Sequence, residues 1–419
     1  MNSLLLFLIV FTLLALRQNM VLILLVSAAY VQVVYDNGTV LYVVEDLWTA
    51  MDNHALLAIP MYLIIGNLIA RGSIAGHLVE VFKSATDWMP GGLGVATILA
   101  CACFSAISGS SAATLIAIGS VMYPALKDAG YSSRFAIGSV TSAGTLGILI
   151  PPSIPLIVYG LVTDTSVADL FLAGVLPGIL LALIFAVYSV VTNREMARRT
   201  FSSRRLIASF HNGFFAILAP VLLLGGIYSG VFSPIEAAAV AVVYTAAVEV
   251  LIYRSFGLAG LFEIMKSSVV MLGTLMPIVA VALMLKSFLA SEGLPDAFAD
   301  WILNIFDSKL AILLVLNLAL LIIGCLIDVV SAILLLAPMM LAVGAVIGVN
   351  PVHLGIIMVV NLEIGLLTPP VGLNLLIASR SFGERIWDIV MSVLPFVLLM
   401  LVVLMVVTFV PWLSLVLIE

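Results

Sequence analysis

The chain of 419 residues is 64% hydrophobic and only 9% charged, with a formal net charge of -6, whereas soluble domains carry about 25% charged residues. That balance excludes a soluble globular protein, and the lack of a basic stripe excludes a nucleic-acid binder. The apolar stretches 180–191 and 398–410 do not alternate polar with apolar as barrel strands do. The expected class is therefore an all-α polytopic membrane protein, with about a dozen segments near the roughly 20 residues that a span needs.

In chain order, the first apolar run is interrupted at Arg17. With no positive n-region it reads as a retained helix rather than a signal peptide, and either one long helix or two elements fits residues 3–35. Asp36 to Asn53 turns acidic around an Asn37-Gly38 turn signal and reads as a loop with a short amphipathic piece. LLAIPMYLIIGNLIARG is an apolar helix, and residues 73–93 read as interfacial, so 1–93 form an N-terminal scaffold region. Residues 94–126 are broken in the middle by SGSS, which leaves two halves too short to cross and predicts a re-entrant hairpin. Residues 135–162 are split by glycines and Pro151-Pro152 into a broken helix, and an ordinary span closes the unit 94–192. The connector 193–212 holds five arginines between Arg194 and Arg205, which places it on the cytoplasmic side. Scaffold spans are expected in 213–309, near 213–230, 235–253 and 268–290, followed by an amphipathic surface stretch. The pattern then returns in 310–379, as a hairpin (310–349) and a broken helix (351–379). Residues 380–419 are the last helix.

The two broken helices align without a gap from Gly130 to Pro152 and from Gly348 to Pro370. Farther upstream the alignment pairs Ser110 with Gly324 and Thr114 with Asp328. The reading is two repeats, each a hairpin followed by a broken helix, an arrangement that transporters use to build a midplane site.

Proline lacks an N–H and clashes with the carbonyl four residues earlier. Pro151 and Pro152 thus free the carbonyls of Gly147 and Ile148, while Pro369 and Pro370 free those of Gly365 and Leu366. Ser108, Gly109, Ser110, Ser111 and Thr114 at the first tip stand with Gly144, Thr145, Gly147 and Ile148 at the first break. Neutral oxygens at that density suit a monovalent cation, sodium, because divalent ions call for more carboxylates. In the second half Gly324, Asp328 and Ser331 at the tip join Gly365, Thr368 and Val371 at the break, flanked by Asn361 and Asn374. Asp328 and Glu363 are costly in a membrane, about 2.5 kcal/mol or more each, and are candidates for the coupling ion or a polar network. Glu236 after Ser233-Pro234 reads as a helix cap, while Lys286 and Glu249 read as snorkelling or paired. Cys101, Cys103 and Cys325 read as packing residues, and His54, His77, His211 and His353 lack ligand spacing.

The motifs SAISGSSAATLIAIGSVMYPALKDAGY, GTLGILIPPSIPLIVYG, GVFSPIEAAAV and NLEIGLLTPPVGLNLL resemble the large membrane subunit of tripartite ATP-independent periplasmic (TRAP) transporters, from about Leu56 onward. The resemblance implies two inverted-topology repeats, an elevator mechanism and no enzymatic activity. It implies sodium-driven uptake of a small organic acid anion in the bacterial inner membrane, delivered by a periplasmic substrate-binding protein. It also implies a small membrane subunit, here expected as a separate chain. One sodium falls between the SGSS tip and the first break, and another between Gly324, Asp328 and the GLLTPP break. Ser110, Ser153, Asn361, Thr368 and Asn374 are expected to face the substrate carboxylate. The alternatives are a sodium- or proton-coupled carboxylate symporter that needs no binding protein, an intramembrane hydrolase and a passive channel. No serine near the first tip has a base close in sequence, and no Walker loop is present.

Overall fold

The computed structural model describes residues 5, 8, 9, 11–13, 16, 18, 20–34, 40–196 and 200–418. Arg17, Asp36, the Asn37-Gly38 turn and two arginines of the connector, Arg198 and Arg199, lie outside the described residues. Among those described, helix is the only regular secondary structure. Among the described residues seven helices are long and apolar enough to cross a membrane, or up to nine if two bent pairs each count as one span. The protein is a multi-pass membrane protein.

From Met20 onward the described helices are α1 (Met20–Val34), α2 (Val40–Met51), α3 (Ala58–Arg71) and α4 (Ile74–Thr86). Next come α5 (Gly92–Ser108), α6 (Ser111–Asp128), α7 (Ser133–Gly144), the single turn α8 (Leu146–Leu149), α9 (Ile154–Thr163) and α10 (Val167–Thr192). After the connector stand α11 (Ser203–Asn212), α12 (Phe214–Tyr228), α13 (Pro234–Ala247) with a π-helical turn at Val248–Ile252, and the 34-residue α14 (Leu258–Ser291). The remainder is α15 (Leu294–Ile305), α16 (Lys309–Gly324), α17 (Val329–Val346), α18 (Pro351–Gly365), α19 (Leu373–Phe382), α20 (Ile386–Phe409) and α21 (Trp412–Leu415). The acidic stretch expected to be mostly loop is thus largely the helix α2, and α14 starts ten residues before the expected span.

Local chemistry sets these boundaries. Ser110, Ser132, Ser153, Ser166, Ser308 and Asp328 each begin a helix by accepting a backbone N–H two or three residues into it, which satisfies donors that the first helical turn leaves unpaired. Ser233 and Glu236 form a reciprocal capping box at the start of α13, as the Ser-Pro signal indicates. The interior of the molecule belongs to the broken elements. In its most apolar stretch the segment 133–163 is 94% buried, against 33–50% for the other spans, and every residue of α18 from Val352 to Gly365 is buried. These segments face protein, the setting in which interrupted backbone is tolerated at membrane depth.

Packing between the hairpins and the broken helices is crosswise. The half-helix α9 lies against α17 of the other half, and α19 lies against α6. On the outside α14 runs along α1, α2 and α3, while α13 packs on α3.

Candidate functional site at the hairpin tips

Each tip meets its own break through the backbone. At the first, Gly109 adopts a left-handed conformation with φ 60° that ends α5, and its carbonyl accepts the N–H of Ile154 at 3.4 Å. At the second, the Cys325 carbonyl accepts the N–H of Val371 at 3.2 Å. Glycines allow this approach. A Cβ on Gly147 would stand 2.7 Å from the Ser110 carbonyl oxygen and 2.8 Å from Thr114 Oγ1, and one on Gly365 would stand 2.3 Å from the Gly324 carbonyl carbon. Both proline pairs are joined by cis peptide bonds.

The two junctions converge on one cavity of about 180 Å³, lined by Gly109, Ser110, Ser111, Ile148, Asp328 and Leu366 among others. Leu63 from α3 and Met271 and Leu275 from α14 close it from outside. A larger cleft of about 790 Å³ between α4, α6 and α11 contains none of the expected site residues.

Ser108 Oγ lies 3.1 Å from Thr114 Oγ1, whose hydroxyl also donates to the Ser110 carbonyl at 2.8 Å. With Gly147 packed on Ser110, the structure brings Ser108, Gly109, Ser110, Ser111 and Ile148 together with Gly147, and Gly144 packs on Leu115. At the first break Ile150 N–H bonds the Leu146 carbonyl and Pro151 and Pro152 offer no donor, so among the described residues no backbone donor reaches the carbonyls of Gly147 and Ile148. Thr145 differs from the expectation. Its hydroxyl donates to the Ser142 carbonyl at 2.6 Å and its side chain reaches the carboxyl of Glu363.

The second break corrects part of the sequence reading. The Gly365 carbonyl accepts the N–H of Thr368 at 3.0 Å and the Leu366 carbonyl accepts that of Asn374 at 3.1 Å. The chain after Val371 folds back to start α19 and brings its own donors, so these oxygens keep only their second lone pairs. The tip register also shifts. Ser110 and Asp328 both cap the second arm of a hairpin, so Asp328 stands opposite Ser110 rather than Thr114, because the cap fixes where each arm begins. Gly324, Gly365, Thr368 and Val371 nevertheless meet at this junction. Asp328 accepts the N–H of Ser331 through Oδ1 at 3.0 Å and is the charged residue lining the cavity.

Of the expected substrate contacts, Ser110 lines the cavity and Ser153 is buried at the start of α9. Asn374 is fully buried. Its Oδ1 accepts from Ser111 at 3.3 Å and its Nδ2 has no partner among the described residues. The Thr368 hydroxyl turns back onto the Ile364 carbonyl. Asn361 lies apart, donating to Asn317 Oδ1 at 2.6 Å while Asn317 donates to Thr408 at 3.2 Å. Its place is in a buried polar chain between α16, α18 and α20, away from the cavity lining. Among the described residues no three histidine, cysteine or acidic side chains gather as a metal cluster.

Glu249 and Lys286, read from sequence as snorkelling or paired, both have partners. Glu249 is fully buried and accepts the N–H groups of Ser73 and Ile74, both at 2.9 Å, so it caps α4 from another segment. Lys286 pairs with Asp164 at 2.7 Å, tying α14 to the end of α9. Sequence reasoning missed the Ser111–Asn374 bridge, the approach of Thr145 to Glu363 and the contribution of Met271 and Leu275. These contacts join residues far apart in the chain and leave no local pattern.

The sequence profile described as "Tripartite ATP-independent periplasmic transporter, DctM component" matches residues 5–413, which extends the likeness through the first apolar run. The chain is 40% identical to the C4-dicarboxylate TRAP transporter large permease protein DctM of Pseudomonas aeruginosa, over 93% of this chain and 92% of that protein. It is 34% identical to the sialic acid TRAP transporter large permease protein SiaM of Vibrio cholerae, over 94% and 93%. Among solved structures, the YdaH transporter of Alcanivorax borkumensis superposes with a TM-score of 0.65 at 17% identity, covering 91% of this chain and 90% of that one, a likeness of fold.

Proposed function

The chain belongs to the DctM component family of TRAP transporters, a family of transporter permeases rather than enzymes, and from that premise we propose that it drives sodium-coupled uptake of a small organic acid anion. The observation that carries the proposal is the single cavity where both tips and both breaks meet, lined by Ser110, Ser111, Ile148, Asp328 and Leu366.

Two sodium sites follow from the donor chemistry. The first uses oxygens of Ser108, Gly109, Ser110, Ser111, Gly144, Thr145, Gly147 and Ile148. The second uses Gly324, Asp328, Gly365, Thr368 and Val371. Neutral oxygens with one carboxylate suit a monovalent cation better than a divalent one. Sodium at either site braces a tip against its break and completes the cavity. Substrate carboxylate oxygens then meet Ser110, the unpartnered Nδ2 of Asn374 and the start of α9 at Ser153, where a helix N-terminus favours negative charge. Two sodium ions with a monoanion move one net positive charge inward, worth about 2.3 kcal/mol per 100 mV.

In this account α5–α9 and α16–α19 form two inverted repeats that move as one transport body. α3, α4 and α11–α14 form a scaffold braced by a small membrane subunit on a separate chain. A periplasmic binding protein delivers the substrate to the inner-membrane complex. The relatives named for C4-dicarboxylate and sialic acid support a carboxylate as the class of substrate. The test is uptake into vesicles containing this chain, the small subunit and the binding protein, screened over organic acids. Accumulation that needs both a sodium gradient and the binding protein is expected, and accumulation by this chain alone would sink the proposal.

A further inference from the structure

The short helix α11, which links the connector to the span α12, has two unlike sides. Arg205, Ser209 and Asn212 recur at spacings of four and three residues and therefore share one of them. Arg205 pairs with Asp87 at 3.1 Å and with Glu80 at 3.6 Å, while Ser209 and Asn212 line the cleft of about 790 Å³ against α4 and α6. This side is turned to the protein.

The opposite side is turned away from it. Ile207 is 68% exposed and Phe210 49%, and Phe214 at the start of α12 is exposed as well. Arg204 stands three residues before Ile207, so it lies beside these apolar groups. It is exposed and makes no ion pair among the described residues. A ten-residue helix is about 15 Å long, too short to cross a bilayer, and α11 bends by 64° from α12. It therefore runs across the direction of the span that it enters. Arginine beside exposed isoleucine and phenylalanine, on such a helix, is the pattern of an element seated at headgroup level. The stretch from Arg194 to Arg205 holds five arginines and one glutamate, so the complementary surface is negative, as anionic lipid of the cytoplasmic leaflet is.

We propose that the outer side of α11 binds an anionic phospholipid, with Arg204 on the headgroup phosphate and Ile207, Phe210 and Phe214 against the acyl chains. The proposal stands on the charge of the connector and on the continuity of α11 with the spanning α12, and it is independent of the sodium reading. Because Arg205 on the inner side holds Asp87 and Glu80, lipid bound outside fixes α11 where it braces α4, the helix that leads into the first hairpin.

The experiment measures the unfolding midpoint of the purified full chain in detergent as short-chain phosphatidylglycerol is added, against phosphatidylcholine of the same chain length, at one pH and fixed ionic strength. Wild type is compared with Arg204→Gln, Phe210→Ser and Lys266→Gln. A ligand that binds the folded chain raises the midpoint with the logarithm of its concentration. Wild type is expected to respond to phosphatidylglycerol and not to phosphatidylcholine, and Arg204→Gln and Phe210→Ser to need about fivefold more lipid for the same rise. Both side chains are exposed, so the midpoints without lipid should match wild type. Lys266→Gln removes one exposed positive charge from α14 and is expected to keep the full response. An equal rise with phosphatidylcholine, an intact response in Arg204→Gln or an equal loss in Lys266→Gln would overturn the site. So would an equal rise with inorganic phosphate, which would replace the lipid by a soluble anion.

Discussion

The carbonyl of Gly109 receives the N–H of Ile154 at 3.4 Å, a length beyond the usual range for such a bond, so the first tip is tied to its break by a contact that is easily lost. The second tip is tied by Val371 and Cys325 at 3.2 Å. Close glycine contacts hold both junctions where these bonds alone would not.

Gly147→Ala and Gly365→Ala are therefore expected to abolish transport. Each added methyl would stand under 3 Å from backbone of the opposing tip, and overpacking of this kind costs about 1–3 kcal/mol. Gly225→Ala is the control, since a Cβ there meets nothing within 4 Å. In a helix that change is neutral or stabilising by up to about 1 kcal/mol. Uptake per folded molecule checks both; equal activity of Gly147→Ala and Gly225→Ala would show that the tip tolerates displacement.

Removing the cap on α4 is expected to lower stability with little change in coupling. Glu249→Ala leaves the N–H groups of Ser73 and Ile74 buried or half-buried without their acceptor, at a cost of about 1–3 kcal/mol. Gly72→Ala should mimic it, because its methyl would collide with the Glu249 carboxylate. Thermal melts check this, and an unchanged midpoint in both variants counts against the cap.

Asn361 and Asn374 should separate by phenotype. Asn361→Ala strips the donor from Asn317 inside a buried chain, so it is expected to destabilise by about 1–3 kcal/mol and leave KM for substrate unchanged. Asn374→Ala is expected to raise KM at least about tenfold, since a site group meant for a substrate oxygen is then missing. A raised KM in Asn361→Ala would return that residue to the substrate.

The Lys286–Asp164 pair is expected to matter little to stability. Asp164 is largely exposed, and exposed pairs contribute about 0–1 kcal/mol. Lys286→Ala should melt within a degree or two of wild type; a large drop would point to a role beyond the pair.

Much of this architecture was legible in the sequence because proline and glycine speak locally. Pro151-Pro152 and Pro369-Pro370 mark the interruptions, and the serines before each helix mark the starts. What the sequence hides is whatever depends on distant partners. The Leu366 carbonyl is met by Asn374 because the chain doubles back, and no rule about proline alone foretells that donor. Asn361 flanks the break in sequence yet faces Asn317, since one helical turn decides the direction of a side chain. Glu249 read as a snorkelling or paired residue, and its partners are the nearby Ser255 hydroxyl and two backbone N–H groups more than 170 residues away in the chain.

The most direct test of the central claim, that the tip and break junctions hold the coupling ions, is the sodium dependence of uptake in the reconstituted three-component system for Ser110→Ala and Thr368→Val. Both variants are expected to need about tenfold more sodium for half-maximal uptake, equivalent to roughly 1.4 kcal/mol per lost ligand. Sodium curves that coincide with wild type in both would contradict the account.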